Sequence, residues 1–318
     1  MINFGCIGTG WITASFVNSA QATGKWKLAA VYSRRAETAK EFGAKFDVTT
    51  VHTSIESLAK DGDIQAVYIA SPNSLHYEQA KVILAAKKHV IIEKPTTSTV
   101  AEFEELYALA KDQGVFLLEA NRHIQEINFK VLQQNLSKLG PIYGASLTYA
   151  SYSSRYNNVL AGETPNIFSL EYSGGALVDL GVYPISFAVA LFGKPKSQSY
   201  SPVIIATGAD GGGLITLQYE GFGVAINASK CYTSTAPSEV YGEKGTFVIN
   251  AVTDIEREEL AKEKAKLNLQ EEAEEFARII DGGDGEAAKR LEELSRIVIG
   301  ITTDLRRQCG LVFAVEKL

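Results

Sequence analysis

Cysteine is scarce in this chain, and its distribution excludes two classes of protein. Only three cysteines, Cys6, Cys231 and Cys309, occur among 318 residues. They lie far apart and are odd in number, so they support neither a disulfide framework nor a cysteine-rich zinc site. A reducing compartment fits this usage best.

Histidine is equally rare, with four residues in the whole chain. His52, His89 and His123 form no set with Asp or Glu at the spacing that metal ligands require. We therefore expect no metal site.

The chain lacks a basic excess and long apolar runs. There are 31 Lys and Arg against 37 Asp and Glu, a formal net charge of −6, and no basic cluster that would attract a nucleic acid. The apolar residues 1–7 run directly into a glycine turn, without a basic segment or a small-residue cleavage site, and no run is of membrane-spanning length. We expect a cytoplasmic protein with neither nucleic-acid nor membrane partners.

What the chain has is the composition of a globular protein. Hydrophobic residues make up 46% and charged residues 21%, which excludes disorder. Its length exceeds that of one typical core and favours two domains. The pattern of elements changes near residue 120, which predicts one domain over residues 1–120 and a second over 121–318.

The first domain alternates short apolar segments with amphipathic ones. The apolar segments are mostly continuous, as expected for a parallel sheet covered by helices on both faces. Right-handed crossovers then give an open, doubly wound α/β sheet. We predict strands at residues 3–7, 27–32, 66–70, 89–93 and 115–118, helices at 11–22, 36–42, 75–86 and 100–113, and a short helix capped by Ser54.

In the second domain, strand-like segments succeed one another directly instead of alternating with helices. This order predicts an α+β domain with a mostly antiparallel open sheet. If helices cover one face of this sheet, its other face needs a partner, and a homodimer in which two sheets pack face to face would provide one. We predict strands at residues 142–154, 203–207, 214–219, 224–229 and 246–250, and helices at 175–192, 271–280 and 286–309, the last two separated by Gly282-Gly283.

A glycine turn lies where the first strand meets the first helix. Gly8 allows a tight turn, and Gly10 lets the backbone approach a pyrophosphate whose charge meets the positive end of the helix. Thr13 replaces the third glycine of the usual pattern, which serves packing of helix on strand. The alternative is an ordinary turn in a protein that binds another ligand. The predicted cofactor contacts here are Gly8, Thr9, Gly10, Trp11 and Ile12.

The end of the second strand indicates which dinucleotide is bound. A site for NAD commonly places a carboxylate there, whereas this chain has Ser33 and Arg34. These suit a 2′-phosphate through a hydrogen bond and a guanidinium. We therefore favour NADP, with NAD possible because Glu37 is near and Arg34 has the alternative of being a solvated surface residue.

Polar clusters follow the strands at 66–70 and 89–93. Ligands of such sheets bind beyond the carboxyl ends of the strands, so both clusters face one crevice. A lysine in a dry cleft exchanges protons nearer neutral pH, because burial destabilises its ammonium form. His76 has the alternative role of a helix-start residue. The predicted cofactor contacts are Ser71, Asn73, His76, Glu93 and Lys94.

Together the motifs resemble the Gfo/Idh/MocA oxidoreductase family across essentially the whole chain. Gly8-Thr9-Gly10, Ser71-Pro72-Asn73 and Glu93-Lys94-Pro95 are followed by the glycine-rich segment 174–183 in the order and spacing of that family. The resemblance implies that the first domain binds NAD or NADP and that Lys94 lies in the catalytic site. It also implies that the Lys94–Pro95 bond is cis.

The same resemblance assigns two residues of the second domain to the catalytic site. The family carries an aspartate and, one turn later, a histidine or tyrosine, which match Asp179 and Tyr183. The tyrosine is more similar to the dihydrodiol dehydrogenase and glucose-fructose oxidoreductase branches than to the inositol dehydrogenase branch. Being four apart, the two residues share one helical face.

The chemistry follows from oxidation of an alcohol, which requires removal of the hydroxyl proton. We expect Tyr183 to exchange that proton, Lys94 to assist by its charge and Asp179 to bind a neighbouring hydroxyl, with the roles of Tyr183 and Lys94 open to exchange. Arg122 and His123 are weaker candidates near the substrate. Tyr149, Tyr152, Arg155 and Phe168 either line the pocket or serve packing.

The predicted function is that of an NADP-preferring oxidoreductase acting on a secondary alcohol or carbonyl of a sugar, polyol or vicinal diol. One alternative is a dinucleotide-sensing regulator of the same fold, since fold alone does not determine function. The other is a Rossmann-type methyltransferase. Lys94, Asp179 and Tyr183 occurring together favour the oxidoreductase.

Overall fold

The computed structural model describes residues 1–253, 255 and 265–317. The chain divides into two compact units, of which the first comprises Met1–Ala120 with Ala265–Glu293 and the second Asn121–Lys264 with Leu294–Leu318. Sequence analysis assigned all of 121–318 to one domain, whereas the structure groups 265–293 with the N-terminal residues.

The first unit is built on a parallel sheet. Its strands are β1 (Ile2–Ile7), β2 (Trp26–Tyr32), β3 (Val51–His52), β4 (Ala66–Ile69), β5 (His89–Glu93) and β6 (Leu117–Ala120). Their order, β3-β2-β1-β4-β5-β6, is that of a doubly wound sheet, and every neighbouring pair is parallel. This confirms the predicted fold, with the two-residue β3 as an additional strand.

The helices of the N-terminal segment alternate with these strands. They are α1 (Trp11–Ala22), α2 (Ala36–Gly43), α3 (Ile55–Ala59), α4 (His76–Ala85) and α5 (Val100–Gln113). Ser54 caps α3, as predicted, by accepting a hydrogen bond of 3.1 Å from the Ser57 N–H. Thr99 and Glu102 form a reciprocal capping box at the start of α5.

The second unit contains a mixed sheet. Its strands are β7 (Ile142–Ala150), β8 (Ser197–Ile204), β9 (Asp210–Gln218), β10 (Gly223–Ser229), β11 (Ser238–Gly242) and β12 (Gly245–Ile249). They lie in the order β12-β11-β7-β10-β9-β8, and only β7 and β10 pair in parallel. The mostly antiparallel sheet is thus confirmed, although β11 was not predicted and β8 begins at Ser197 rather than residue 203.

The second unit has four α-helices between β6 and β8. They are α6 (Arg122–Gln125), α7 (Ile127–Asn135), α8 (Tyr156–Leu160) and α9 (Val182–Phe192). A wide π-helical turn, Leu177–Gly181, precedes α9, and both contact β7 and β10. The helix predicted over 175–192 is therefore a π turn continued by an α-helix.

The segment Leu170–Phe192 is long and apolar enough to span a membrane, by length and composition alone. This corrects the expectation that no run reaches that length. The protein itself buries 72% of the most apolar stretch, as is usual for a core helix.

Two C-terminal helices, α10 (Gln270–Gly282) and α11 (Gly285–Gln308), follow near the end of the chain. Phe276 of α10 is fully buried in the same core cluster as Phe4 and Trp26 of the first sheet. The Trp26 indole N–H donates a buried hydrogen bond of 2.8 Å to the Ala273 carbonyl. Helix α10 thereby completes the core of the first unit.

Candidate active site

The two glycines of the first turn meet different requirements. Gly8 has a φ of +111°, and a Cβ there would lie 2.6 Å from the carbonyl oxygen of Ala70. Only glycine fits this position. Gly10 precedes α1, and a Cβ there would meet nothing within 4 Å. The space beside Gly10 is open to a ligand.

The start of α1 is suited to a phosphate. No side chain caps it, and its first turn has no acidic residue. The hydroxyl of Thr13 is fully buried and has no hydrogen-bond partner within the described part of the chain. Its Oγ1 lies 3.2 Å from the position that a Cβ on Gly8 would occupy. Free helix N–H groups and an orphaned hydroxyl beside the glycine turn fit a pyrophosphate.

The end of β2 leads to the adenosine side predicted for the cofactor. The Ser33 N–H donates to the His52 carbonyl at 3.2 Å, which fixes this end of the strand. Ser33 is half-buried, whereas Arg34 is exposed and forms no ion pair with a described residue. Both side chains remain available to an anionic group.

His76 lies between the loops that follow β4 and β5. Its ring is fully buried, with Nδ1 2.9 Å from the Pro95 carbonyl oxygen and Nε2 2.9 Å from that of Ser71. Burial lowers the pKa of the His76 imidazole. His76 thus connects the loops after β4 and β5, and its cofactor contact stays a prediction.

The loop after β4 carries the other two predicted contacts. The Ser71 hydroxyl donates to Gln79 Oε1 at 2.7 Å. Asn73 is half-buried and starts a single 3-10 turn that leads into α4. Both residues lie at the carboxyl end of the central part of the sheet, where such folds bind ligands.

Lys94 directly follows β5 and is half-buried. Before it, Glu93 accepts a hydrogen bond of 2.6 Å from the Tyr68 hydroxyl. Burial raises the pKa of Glu93, and the positive charge of Lys94 opposes this shift. The Lys94–Pro95 bond is cis, which confirms the prediction. The Thr96 N–H then donates to Glu119 Oε1 at 2.8 Å, so contacts on both sides hold the loop.

In the second unit, aromatic rings flank Tyr183 in the first turn of α9. The His123 ring lies 5.1 Å away and the Tyr149 ring 5.3 Å away, between ring centroids. His123 is fully buried and Tyr183 half-buried. The packing brings two secondary candidates, His123 and Tyr149, against the predicted catalytic tyrosine.

Asp179 lies on the π turn and forms an ion pair with Lys230. The Lys230 side chain is 7% exposed, and its Nζ lies 5.9 Å from the centre of the buried Phe168 ring. Sequence reasoning missed Lys230. It is one of 31 basic residues and lies far from Asp179 along the chain, so no motif marks it.

The remaining candidates have other contacts. Arg122 pairs with Glu126 at 3.2 Å. The Tyr152 hydroxyl donates to Asn157 at 2.6 Å near the surface, and Arg155 is exposed beside α8. Among the residues that the structure describes, no three His, Cys, Asp or Glu side chains are grouped to hold a metal ion.

Comparison with known families agrees with this arrangement. Residues 2–120 match the oxidoreductase family with an NAD-binding Rossmann fold, and residues 137–248 match the GFO/IDH/MocA C-terminal domain. The chain belongs to the Gfo/Idh/MocA oxidoreductase family. Both matches follow the predicted order of the two domains.

Members of the Gfo/Idh/MocA family with related sequences include named enzymes. The chain is 39% identical to scyllo-inositol 2-dehydrogenase (NADP(+)) IolU of Bacillus subtilis over 100% of both chains. It is 32% identical to trans-1,2-dihydrobenzene-1,2-diol dehydrogenase of Mus musculus over 77% of this chain and 73% of the relative.

A solved structure in complex with NADP shares the fold of this Gfo/Idh/MocA protein. It is KijD10, a 3-ketoreductase from Actinomadura kijaniata, with a TM-score of 0.79 and 24% sequence identity over 96% of this chain and 97% of that one.

Proposed function

We propose that this protein is an NADP-preferring oxidoreductase that interconverts a secondary alcohol and a carbonyl group on a polyol or vicinal diol. The proposal rests on three features that occur together in this chain. They are an uncapped helix start beside Gly10, Lys94 directly after β5, and the pair formed by Asp179 and Tyr183 in the sequence. The relative with 39% identity is named for the oxidation of scyllo-inositol, a cyclic polyol.

The preference for NADP rests on the end of β2. Ser33 offers a hydroxyl, and the exposed guanidinium of Arg34 offers a planar pair of donors that matches a phosphate. A carboxylate that would bind both hydroxyls of an unphosphorylated ribose is missing from residues 31–35. The name of the Bacillus subtilis relative also specifies NADP(+).

Three residues of this chain have different roles in the proposed reaction. A nicotinamide bound here would supply or accept the hydride. In the reducing direction the Tyr183 hydroxyl donates its proton to the carbonyl oxygen, and in the oxidising direction the tyrosine takes the proton back. The ammonium group of Lys94 stabilises negative charge on the same oxygen. Asp179 accepts a hydrogen bond from the neighbouring hydroxyl, which suits a polyol or diol.

Cofactor binding can be measured through the tryptophans. Trp11, beside the phosphate-binding turn, is 79% exposed, whereas Trp26 is 2% exposed. We expect NADPH to quench the emission of Trp11, and the Trp11→Phe variant to lose this signal. NADPH binding more tightly than NADH supports the preference, and equal affinities contradict it.

Turnover is tested by NADPH absorbance with scyllo-inositol, trans-cyclohexane-1,2-diol and a panel of carbonyl compounds. We expect Tyr183→Phe and Lys94→Ala each to reduce kcat by roughly 10²–10⁴-fold, and Tyr183→Phe to leave NADPH affinity unchanged. Tyr143→Phe is the matched control, because Tyr143 is 63% exposed on β7. Binding of NADPH without turnover of any compound indicates a regulator, and full activity of Lys94→Ala overturns the proposed chemistry.

We also propose a cytoplasmic homodimer without nucleic-acid or membrane partners, formed through the outer face of the second sheet. Leu214 of β9 is 61% exposed on that face, where Ser201 of β8 and Asn227 of β10 flank it in register. An exposed leucine amid short polar side chains suits a flat contact between two copies. Light scattering should give a dimeric mass for the wild type and a monomeric mass for Leu214→Arg. A monomeric wild type at micromolar concentration contradicts the proposal.

A further inference from the structure

The π turn that carries Asp179 is held by two buried charged groups from the neighbouring sheet. Lys230, directly after β10, pairs with the Asp179 carboxylate. Asp210, at the start of β9, accepts a hydrogen bond of 2.6 Å from the Leu177 N–H, the first residue of the turn. A Cβ on Gly175 would collide with the Asp210 carboxylate, which shows how closely the turn approaches it.

Lys230 is fixed along its whole length. Its N–H donates to the Gly211 carbonyl at 2.8 Å, and its carbonyl accepts from the Ser153 N–H at 2.9 Å. The side chain passes over Phe168 and reaches Asp179 with 7% of its surface exposed. A lysine this buried is costly in free energy unless its ammonium group is paired. The ion pair with Asp179 therefore offsets the cost of burying this charge.

Asp179 is more accessible than its partner. Its side chain is 21% exposed against 7% for Lys230, so Asp179 is the partner of this ion pair that solvent reaches more readily. A neighbouring ammonium group favours the ionised form of a carboxylate, and an ionised carboxylate is a strong hydrogen-bond acceptor.

We propose that Lys230 is a positioning residue for the oxidoreductase reaction, acting through Asp179. It keeps the Asp179 carboxylate ionised and in one orientation, so that Asp179 accepts a hydrogen bond from the substrate hydroxyl next to the reacting carbon. This rests on the proposed function. It assigns Asp179 to substrate recognition and leaves proton exchange to Tyr183 and Lys94.

The test compares Lys230→Met with Lys230→Arg at saturating NADP⁺. With scyllo-inositol or trans-cyclohexane-1,2-diol as the probe, we expect Lys230→Met to raise KM about tenfold or more, because a charged hydrogen bond of one to a few kcal/mol is lost. The affinity for NADPH stays within about twofold of the wild type, since Lys230 belongs to the second unit and the phosphate-binding turn to the first. Lys230→Arg, which keeps the charge, recovers part of the lost affinity.

A split between KM and kcat separates this role from a merely structural one, because Asp179 is assigned to substrate recognition and not to proton exchange. Lys230→Met should therefore change KM more than kcat. Lys196→Met is the matched control, because Lys196 forms an exposed ion pair with Glu220 in the same unit. It should leave KM unchanged.

Action through Asp179 is tested in the Asp179→Asn background. We expect Lys230→Met to change KM there by less than about threefold, since the partner is already neutral. An equal effect of Lys230→Met in both backgrounds, or a wild-type KM in the single variant, overturns the inference alone. Absence of turnover of both probes by the wild type overturns the proposed function and this inference together. If Lys230→Met does not fold, Asp179→Asn/Lys230→Met compared with Asp179→Asn/Lys230→Arg decides instead, because the inference requires these two to be equal.

Discussion

Gly8 and Gly10 are two residues apart, yet replacing each should have a different effect. Gly10→Ala adds a Cβ that meets no protein atom within 4 Å, so its thermal stability should match that of the wild type. The same Cβ occupies the space proposed for the pyrophosphate, and NADPH affinity should fall about tenfold or more, an energy of ~1.4 kcal/mol. Thermal unfolding and Trp11 quenching measure the two effects.

Gly62→Ala is the control for this prediction, since a Cβ at Gly62 also meets nothing within 4 Å and lies outside the glycine turn. Gly8→Ala should destabilise the fold itself, because its φ of +111° and the contact with Ala70 both disfavour a side chain. Unchanged NADPH affinity in Gly10→Ala would place the cofactor elsewhere.

His89 makes the stability of the first unit sensitive to acid. Burial lowers the pKa of its imidazole below 6.5, and Nδ1 accepts a hydrogen bond of 3.0 Å from the Phe116 N–H. The unfolded chain therefore binds a proton first as the pH falls, so the contribution is complete above about pH 6.5 and declines below it. Each unit of pKa difference corresponds to about 1.4 kcal/mol.

Urea unfolding of the wild type and His89→Gln between pH 7.5 and 5.5 checks this. The difference in unfolding free energy should shrink as the pH falls, because only the wild type loses the His89 contribution. A difference that stays constant with pH contradicts it.

For single residues, the sequence predicts a functional role where that role depends on residues that are neighbours along the chain. Gly8 and Gly10 follow from the needs of a tight turn and a close phosphate, and Lys94 stands out as a lysine directly after a buried strand. His76 and Lys230 did not follow, because their roles depend on partners that are distant in sequence: the Pro95 carbonyl for one and Asp179 for the other. No local pattern records such contacts.

Among the elements, the π turn depends on Asp210. Asp210 accepts hydrogen bonds from the Leu177 N–H at 2.6 Å and the Tyr200 hydroxyl at 2.8 Å. Asp210→Asn should lower the unfolding free energy by about 1–3 kcal/mol, because it weakens two buried hydrogen bonds. It should also reduce kcat/KM for the polyol while leaving NADPH affinity unchanged, since Asp179 lies on this turn.

Tyr200→Phe is the comparison for Asp210→Asn. It removes one bond to Asp210 but leaves the Leu177 N–H satisfied, so stability should fall by only about 1 kcal/mol and turnover should persist. Equal losses of turnover in the two variants would show that the turn does not depend on the bond to Leu177.

The elements that the sequence predicted best are those with a long periodic pattern. Strands β1, β2 and β5 are mostly apolar, and α5 has both an amphipathic pattern and a capping box. Strand β3, with two residues, is too short to show any period. The π turn was missed because its residues are as apolar as those of α9, and contacts with the sheet rather than composition determine its width.

For the whole molecule, the first unit needs residues from both ends of the sequence. A fragment of residues 1–120 lacks α10, leaving Trp26 without the Ala273 carbonyl and its surrounding core exposed. We expect this fragment to show no cooperative thermal transition. Joining residues 1–120 to 265–293 through a Gly/Ser linker should restore both a transition and NADPH binding. Cooperative unfolding of the short fragment would contradict this expectation.

The change of pattern near residue 120 predicted two domains. It did not indicate that residues 265–293 pack with the first of them. Amphipathic helices such as α10 show which face is buried, and Phe276 and Ala273 lie on that face. The amphipathic pattern does not indicate which sheet buries this face of α10, because any apolar surface would cover the face equally well.

The late position of α10 bears on how a ribosome produces this protein. All of β1–β6 emerge before the segment that covers their core, and at about 5–20 residues per second the delay is on the order of ten seconds. During that time the nascent chain exposes aromatic side chains that a chaperone would bind. The sheet that is synthesised first is thus covered only after residues 121–264, which belong to the other unit, have been made.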